Sequence, residues 1–306
     1  MLVTACPGQG AQKAGFLSSW LELPGFARTF DGLAGASGID LRTHGTTSDD
    51  ATITDTAVAQ PLLVASAIAA HAEIFGDSLT TDIVAGHSVG EIGAAAVAGI
   101  LTHEDAMQLV SARGTAMAAA AAAAPSGMAA VVGGDPDDVL SAISAAGLEP
   151  ANVNGGGQTV AAGAQDRIEA FAANPPERAR VIPLKVAGAF HTSFMAPASD
   201  AVESVASSLQ PSDPTVTILT NADGTSVASG ADYLRLLVSQ VTNPVRWDLC
   251  QQTLVAAGVT GVLELVPGGT LTGLAKRAMK GVEVFPVKSA DDVDGAREFV
   301  RAHSGA

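Results

Sequence analysis

The sequence predicts an α/β fold in which a mainly parallel sheet carries a small inserted unit. Three observations lead there. Short apolar runs alternate with helical stretches toward both ends of the chain, the pattern of a sheet covered on both faces. The middle of the chain orders its elements βαββαβ instead, which is the ferredoxin-like arrangement. The stretch Val89 to Ile100 is almost free of charge, as a helix packed into such a core would be.

In chain order, Leu2 to Cys6 reads as a buried strand ended by the turn signal Pro7-Gly8-Gln9-Gly10. Asp55 to Phe75 has helical character after a Thr-rich loop, with Pro61 placed in the first turn. Asp82 to Ala85 is a second short strand, and Val89 to Ile100 the helix that follows it. Residues 118 to 124 are seven alanines ending at Pro125, a helix tail or a tolerated spacer, since alanine is the best helix former. Met128 to Val132 is a strand, and Asp135 to Ala146 a helix with Asp135 as N-cap and Pro136 at its first position. Strand-like Ala151 to Asn154 and Gln158 to Ala162 flank Gly155-Gly156-Gly157. That triplet lacks the following Lys-Ser/Thr of a phosphate loop, so it reads as a hairpin turn. Gln165 to Ala173 is a helix and Arg180 to Val186 a strand. Further strands are expected at Thr215 to Leu219, Gly261 to Val266 and Val282 to Val287. These spans place an inserted ferredoxin-like subdomain at residues 126–187, inside a discontinuous core of 1–125 and 188–306.

Composition narrows the function. With 306 residues, 47% of them hydrophobic and 15% charged, the chain can bury a large core. A formal charge of −15 argues against nucleic acid and against an anionic membrane surface as partners. Two cysteines, Cys6 and Cys250, are too few for a disulfide framework and suit a reduced, cytoplasmic setting. The N-terminus has no basic segment ahead of an apolar one, and apolar stretches such as Ile92 to Leu101 stop short of a membrane span. A soluble, cytoplasmic protein is expected, with no metal cluster and no bound cofactor.

Gly86-His87-Ser88-Val89-Gly90 fits G-x-S-x-G between an expected strand and an expected helix, the context of a nucleophile elbow. Small flanking residues let the backbone turn sharply and hold the hydroxyl at the helix N-terminus. There the Val89 N–H and the helix dipole can stabilise an oxyanion. A serine nucleophile needs a base, and the histidines are His44, His71, His87, His103, His191 and His303. His87 adjoins Ser88 and points away from it at a tight turn. His103 starts a helix and His303 lies in a tail, both exposed on this reading. His191 follows directly on the return from the inserted unit and leads the six. Arg113 is placed by arm length: Ser88 to Gly99 and Thr102 to Arg113 span equal numbers of residues, so an antiparallel pair brings Arg113 level with Ser88. Its guanidinium then either clamps a substrate carboxylate or pairs with Glu104 or Asp105.

With Gln9, Ser88, Arg113 and His191 marked, the chain resembles the malonyl-CoA:acyl-carrier-protein transacylases, and it is similar to the acyltransferase domains of polyketide synthases. The resemblance runs from Pro7-Gly8-Gln9-Gly10 to about Val287. It is carried by Ala59-Gln60-Pro61, Gly86-His87-Ser88-Val89-Gly90-Glu91, Arg113-Gly114 with Met117, Asn152-Val153-Asn154, Phe190-His191, Gln240 with Asn243-Pro244 and Trp247, and Pro267-Gly268. It implies a hydrolase-like α/β core with the inserted ferredoxin-like subdomain. It implies Ser88 as nucleophile, His191 as base, and the N–H groups of Val89 and Gln9 as oxyanion hole. Arg113 would bind the malonyl carboxylate, the Gln240 backbone carbonyl would orient His191, and Asn154, Met117 and Phe190 would line the acyl site. Arg180 matches a basic position that contacts CoA. The partners implied are malonyl-CoA and acyl carrier protein. The chain departs from the pattern at Gly188, where malonyl-type polyketide acyltransferases usually carry His, and at Ala179, where a basic residue is usual.

Two other readings compete. A serine hydrolase would share the elbow and take its acid from Asp166 or Glu177. A docking subunit without catalysis would keep the fold alone. Carrier proteins are acidic, so Arg178, Arg180 and Lys185, or Lys276, Arg277 and Lys280, are the candidate carrier-facing charges.

Overall fold

The computed structural model describes residues 1–304. It opens with strand β1 (Leu2–Cys6), fully buried and led by a loop into helices α1 (Pro24–Ser37), α2 (Leu41–Thr46), α3 (Asp50–Thr54) and α4 (Thr56–Phe75). Asp40, Asp49 and Asp55 cap α2, α3 and α4, each accepting an otherwise unpaired N–H of the first turn. Strand β2 (Ile83–Gly86) then leads into α5 (Gly90–Val97), and α6 (His103–Ala123) returns antiparallel from its Thr102 cap. The alanine run is the end of α6, with Ala120 and Ala121 buried.

The middle of the chain builds its own sheet. Strand β3 (Ser126–Gly133), α7 (Pro136–Ala145), β4 (Glu149–Gly155), β5 (Gln158–Ala164), α8 (Gln165–Ala173) and β6 (Ala179–Pro183) follow the βαββαβ order. The sheet order is β4-β5-β3-β6 with every pairing antiparallel. That is the ferredoxin-like topology. Its own small core of Val131, Val139, Ile143, Ile168 and Phe171 sits between the sheet and the two helices. Strand β6 ends at Pro183, short of the expected Val186. Beyond it the Leu184 N–H still bonds back to β3 at the Met128 carbonyl, and the Ala189 N–H at the Ser126 hydroxyl.

The chain then completes the first sheet. Helix α9 (Ala196–Ala206), strand β7 (Thr217–Ile218), α10 (Gly230–Ser239), α11 (Trp247–Ala256), β8 (Gly261–Glu264), α12 (Thr270–Ala278), β9 (Glu283–Pro286) and α13 (Val293–His303) follow. The order β7-β2-β1-β8-β9 is parallel throughout, and β1 lies at its centre between β2 and β8. Both faces are covered, one by α4, α5 and α13 and the other by α11 and α12. The α/β fold, with a parallel sheet and a separate antiparallel one, is the predicted class.

Three further details differ from expectation. Pro61 lies in the interior of α4 as its sixth residue, where it has no N–H to offer the Ala57 carbonyl. Helix α4 is also long and apolar enough to cross a membrane by length and composition, yet 78% of its most apolar stretch is buried inside the fold. It is the central helix of the larger core, packed against α1 and α6. His303 is not an exposed tail residue. It ends α13 with its ring against Phe299 and over Gly261, and Nδ1 lies 3.0 Å from Thr260 Oγ1.

Candidate active site

The site begins at the C-terminal end of β2, beside the central strand. The chain must turn from strand to helix within four residues, and the two glycines of the pentapeptide make room for it. A Cβ on Gly86 would lie 2.1 Å from the Gly90 carbonyl carbon, and one on Gly90 would lie 2.2 Å from the Cys6 carbonyl oxygen. No side chain fits at either position. Ser88 is left with φ of 53°, a left-handed backbone that costs a non-glycine residue about 1–2 kcal/mol. Asn221 holds it there. Its Oδ1 accepts from the Ser88 N–H at 2.8 Å while its Nδ2 donates to the Gly86 carbonyl at 2.8 Å.

The Val89 N–H, at the head of α5, has no partner among the described residues, and neither has the Gln9 N–H. The loop carrying Gln9 packs directly on the elbow, since a Cβ on Gly8 would meet the His87 carbonyl oxygen at 2.8 Å. Gln9 and Val89 both line the cavity in front of Ser88. Two free donors at one mouth are what a developing oxyanion needs.

His191 comes from the segment between β6 and α9, again with a left-handed backbone, φ 61°. Its Nε2 lies 2.7 Å from Ser88 Oγ. Its Nδ1 lies 2.9 Å from the Gln240 backbone carbonyl, which can only accept, so Nδ1 carries the proton and Nε2 is free to take one. Burial, with help from the Arg113 charge, pushes the imidazole down to about 3, so the ring is neutral at physiological pH. Asp166 and Glu177, the acids of the hydrolase reading, are exposed on and beyond α8, away from this ring.

Arg113 projects from α6 and is 2% exposed. Nη2 reaches to 3.5 Å from Ser88 Oγ, since the equal spans Ser88 to Gly99 and Thr102 to Arg113 fold back on each other. Neither Glu104 nor Asp105 pairs with it. Its partners are neutral amides: Nη1 donates to Gln60 Oε1 at 2.7 Å and Nη2 to Gln240 Oε1 at 2.9 Å. Desolvation lowers the guanidinium to about 10, which leaves it charged. The buried carboxyl nearest in charge is Glu91, one residue into α5. Burial pushes Glu91 up to about 8, against hydrogen bonds and the Arg113 charge that pull it down.

A cavity of about 140 Å³ opens in front of Ser88. Gln60, Met117, Phe190 and His191 wall it from the parallel-sheet side, and Met128, Asn152, Val160, Leu184, Lys185 and Val186 from the antiparallel sheet. Four expected site residues are not part of its lining: Arg113 and Gln240 are buried beside Ser88, and Asn154 and Arg180 lie elsewhere. Asn154 has its amide engaged by His87 Nε2 at 2.9 Å and by Gln158 at 3.0 Å, and Asn152 takes the lining position. Arg180 is exposed on β6, outside the cavity, and the basic residue at the mouth is Lys185. His87 is wedged between Asn154 and Trp247 at the edge of the cavity. Gly188 packs on α6, where a Cβ would lie 2.7 Å from the Ala121 Cβ. A histidine could not stand there unless that helix moved.

Sequence reasoning missed Asn221 and the structural parts of Gln60 and Glu91. Gln60 and Glu91 sit in quoted motifs, but nothing in their spacing says which neighbours they bond. Asn221 lies in a turn after β7, distant in sequence from the elbow it holds.

The arrangement resembles known proteins over nearly its whole length. The family model for the acyl transferase domain matches residues 3–297. The malonyl CoA-acyl carrier protein transacylase of Mycobacterium tuberculosis is 49% identical over 297 residues, covering 96% of this chain and 98% of the relative. The crystal structure of MCAT from Mycobacterium tuberculosis has a TM-score of 0.91 at 48% identity, covering 97% of this chain and 99% of that one. A malonyl-transacylase solved in complex with its type II polyketide synthase acyl-carrier protein has a TM-score of 0.91 at 28% identity, covering 97% and 99%.

Proposed function

The chain belongs to the acyl transferase domain family, and on that premise we propose that it moves a malonyl group from malonyl-CoA to the phosphopantetheine thiol of an acyl carrier protein. The observation that carries this reading is a serine hydroxyl with a neutral imidazole at 2.7 Å on one side and a buried guanidinium at 3.5 Å on the other.

The reaction runs in two halves. His191 Nε2 takes the proton of Ser88 as Oγ attacks the thioester carbonyl. The oxyanion is met by the N–H groups of Val89 and Gln9. The C–S bond breaks, and the CoA thiolate leaves with the proton from His191. In the second half the carrier thiol gives its proton to Nε2 and attacks the malonyl-serine ester. The C–O bond breaks, and His191 returns the proton to Ser88 Oγ. The Gln240 carbonyl stabilises the imidazolium in both halves, in the place of the usual acid. Loss of one oxyanion donor raises the barrier by about 3 kcal/mol. The thioester is itself the activated donor, so no cofactor enters the balance.

Arg113 makes the site one for a diacid. The malonyl carboxylate lies two carbons beyond the ester carbonyl, within reach of a guanidinium that already neighbours Oγ. A charged acceptor outbids a neutral amide oxygen for that donor. Met117 and Phe190 wall the acyl group. Lys185 at the mouth, with Arg178 and Arg180 beyond it, faces the acidic carrier; Lys276, Arg277 and Lys280 are the other candidate face. The buried thiols of Cys6 and Cys250 suit a cytoplasmic setting.

The test is mass spectrometry of the intact protein mixed with malonyl-CoA. A malonyl adduct on Ser88 that a pantetheine thiol clears faster than water supports the transferase. Clearance by water alone would mark a hydrolase.

A further inference from the structure

Among the described residues, Gln240 is the one besides Ser88 itself that hydrogen-bonds both His191 and Arg113. Its backbone carbonyl holds His191 at 2.9 Å, and its side-chain oxygen holds Arg113 at 2.9 Å. An arginine can only donate, so Gln240 must turn Oε1 toward it and Nε2 the other way. Nε2 there donates to Glu91 Oε2, with a weaker contact to the Ser88 carbonyl at 3.3 Å. The other Glu91 oxygen accepts from the Asn221 N–H at 2.8 Å and the Tyr233 hydroxyl at 3.2 Å. Glu91 is 1% exposed and has no surface role to play.

We propose that Glu91 is a positioning residue for malonyl recognition: it fixes the Gln240 amide so that its oxygen, and not its NH2, faces Arg113. The proposal rests on the transferase reading above. Donors converge on the carboxyl from both sides, and only a group with an oxygen on each side accepts from them all; the hydroxyl oxygen of a protonated carboxyl still can, and an amide NH2 cannot. An amide at position 91 has one. Whichever way it turns, its NH2 faces either the Gln240 NH2 or the fixed Asn221 N–H. The first arrangement drives the Gln240 amide round, and its NH2 then confronts the guanidinium. The Gln240 backbone does not depend on this, since it is held by its own helical turn, where Asn243 N–H bonds the same carbonyl at 3.3 Å. His191 therefore keeps its partner. The defect should strike the diacid and spare a substrate without a carboxylate.

The experiment compares kcat and KM for malonyl-CoA and acetyl-CoA in the full-length enzyme and in Glu91→Gln, Glu91→Met, Gln240→Leu and the Glu91→Gln/Gln240→Leu pair. Glu91→Met keeps the volume without adding a donor, and serves if Glu91→Gln does not fold. The malonyl-to-acetyl ratio of kcat/KM is expected to fall about 10–100-fold in each folded Glu91 variant. Most of that fall should lie in KM for malonyl-CoA. With Gln240→Leu already present, Glu91→Gln should change the ratio less than about twofold, because the residue it acts through is gone. A ratio within about twofold of the parent in any folded Glu91 variant, or independent effects in the pair, overturns the proposal. Malonyl loading of Ser88 in the parent separates the two failures. A parent that loads with an unchanged variant ratio sinks the positioning role alone, whereas a parent that never loads sinks the transferase reading and this inference with it.

Discussion

The two sheets face each other across the cavity and contribute opposite things. The parallel-sheet side supplies nearly all of the polar chemistry: Ser88, His191, Arg113, Gln60, Gln240 and Glu91, most of them buried and each bonded to another. The antiparallel side supplies Met128, Val160, Leu184 and Val186, an apolar wall with Asn152 and Lys185 as its polar points. Ile182, Leu184 and Val186 remain 47%, 38% and 36% exposed beside the mouth. One side is preorganised by a hydrogen-bond network that leaves little freedom; the other shapes and admits. Chemistry and access are thus assigned to different pieces of the chain, which can vary separately.

If that division holds, damage on the core side should be severe and specific, and damage on the roof mild. Ser88→Ala marks the extreme: malonyl transfer should fall by at least about 10³-fold, with no adduct in the mass spectrum. Arg113→Ala should come next. Malonyl kcat/KM drops about 100-fold while relative activity on acetyl-CoA rises, and an unchanged preference would break the assignment. Gly90→Ala removes no functional group, yet the added methyl collides with the Cys6 carbonyl. A loss of at least about 2 kcal/mol in denaturant unfolding is expected. Leu184→Ala, on the roof, should raise KM by only about threefold and leave kcat alone, because it trims a half-open wall. A large kcat effect there would erase the contrast between the sheets.

A pH measurement sharpens the same comparison. His191 is held down at about 3 by burial and by Arg113, so it stays unprotonated across the working range. Below about pH 7, where Glu91 no longer changes its charge, single-turnover acylation should therefore stay level down to about pH 5, instead of falling through the usual histidine range near 6.5. Stability carries the opposite signature. Below about 6.5 the unfolded chain binds a proton that folded His191 refuses, so this group's contribution is present above 6.5 and drains away as pH falls toward 3.

Much of this was legible in the chain itself, for physical reasons. Alternation of apolar runs and helices reports a covered sheet, and the elbow is a local event, written in five consecutive residues. Arg113 could be placed because two helical arms of equal length close a loop, which is arithmetic on a known rise. What escaped depends on contacts between distant segments. Asn221 and Ser88 are 133 residues apart, and nothing local to either foretells the bond. Asn154 shows the same limit: it belongs to a quoted motif, but His87 consumes its amide before the cavity can use it. Propensity alone puts Pro61 in a first turn. The helix runs unbroken from Thr56, as its expected span does, and that seats the proline beyond the first turn.

Ser88 and His191 share the left-handed backbone, and this sets activity against durability. A Cβ at φ 53° is a standing cost that the elbow needs and the fold does not. Ser88→Gly and Ser88→Ala would be equally inert, yet the glycine form should melt higher, by the equivalent of about 1 kcal/mol. Any selection for thermal robustness alone would drift toward glycine at that position and lose the enzyme. The nucleophile persists there because turnover, and not stability, is what keeps it.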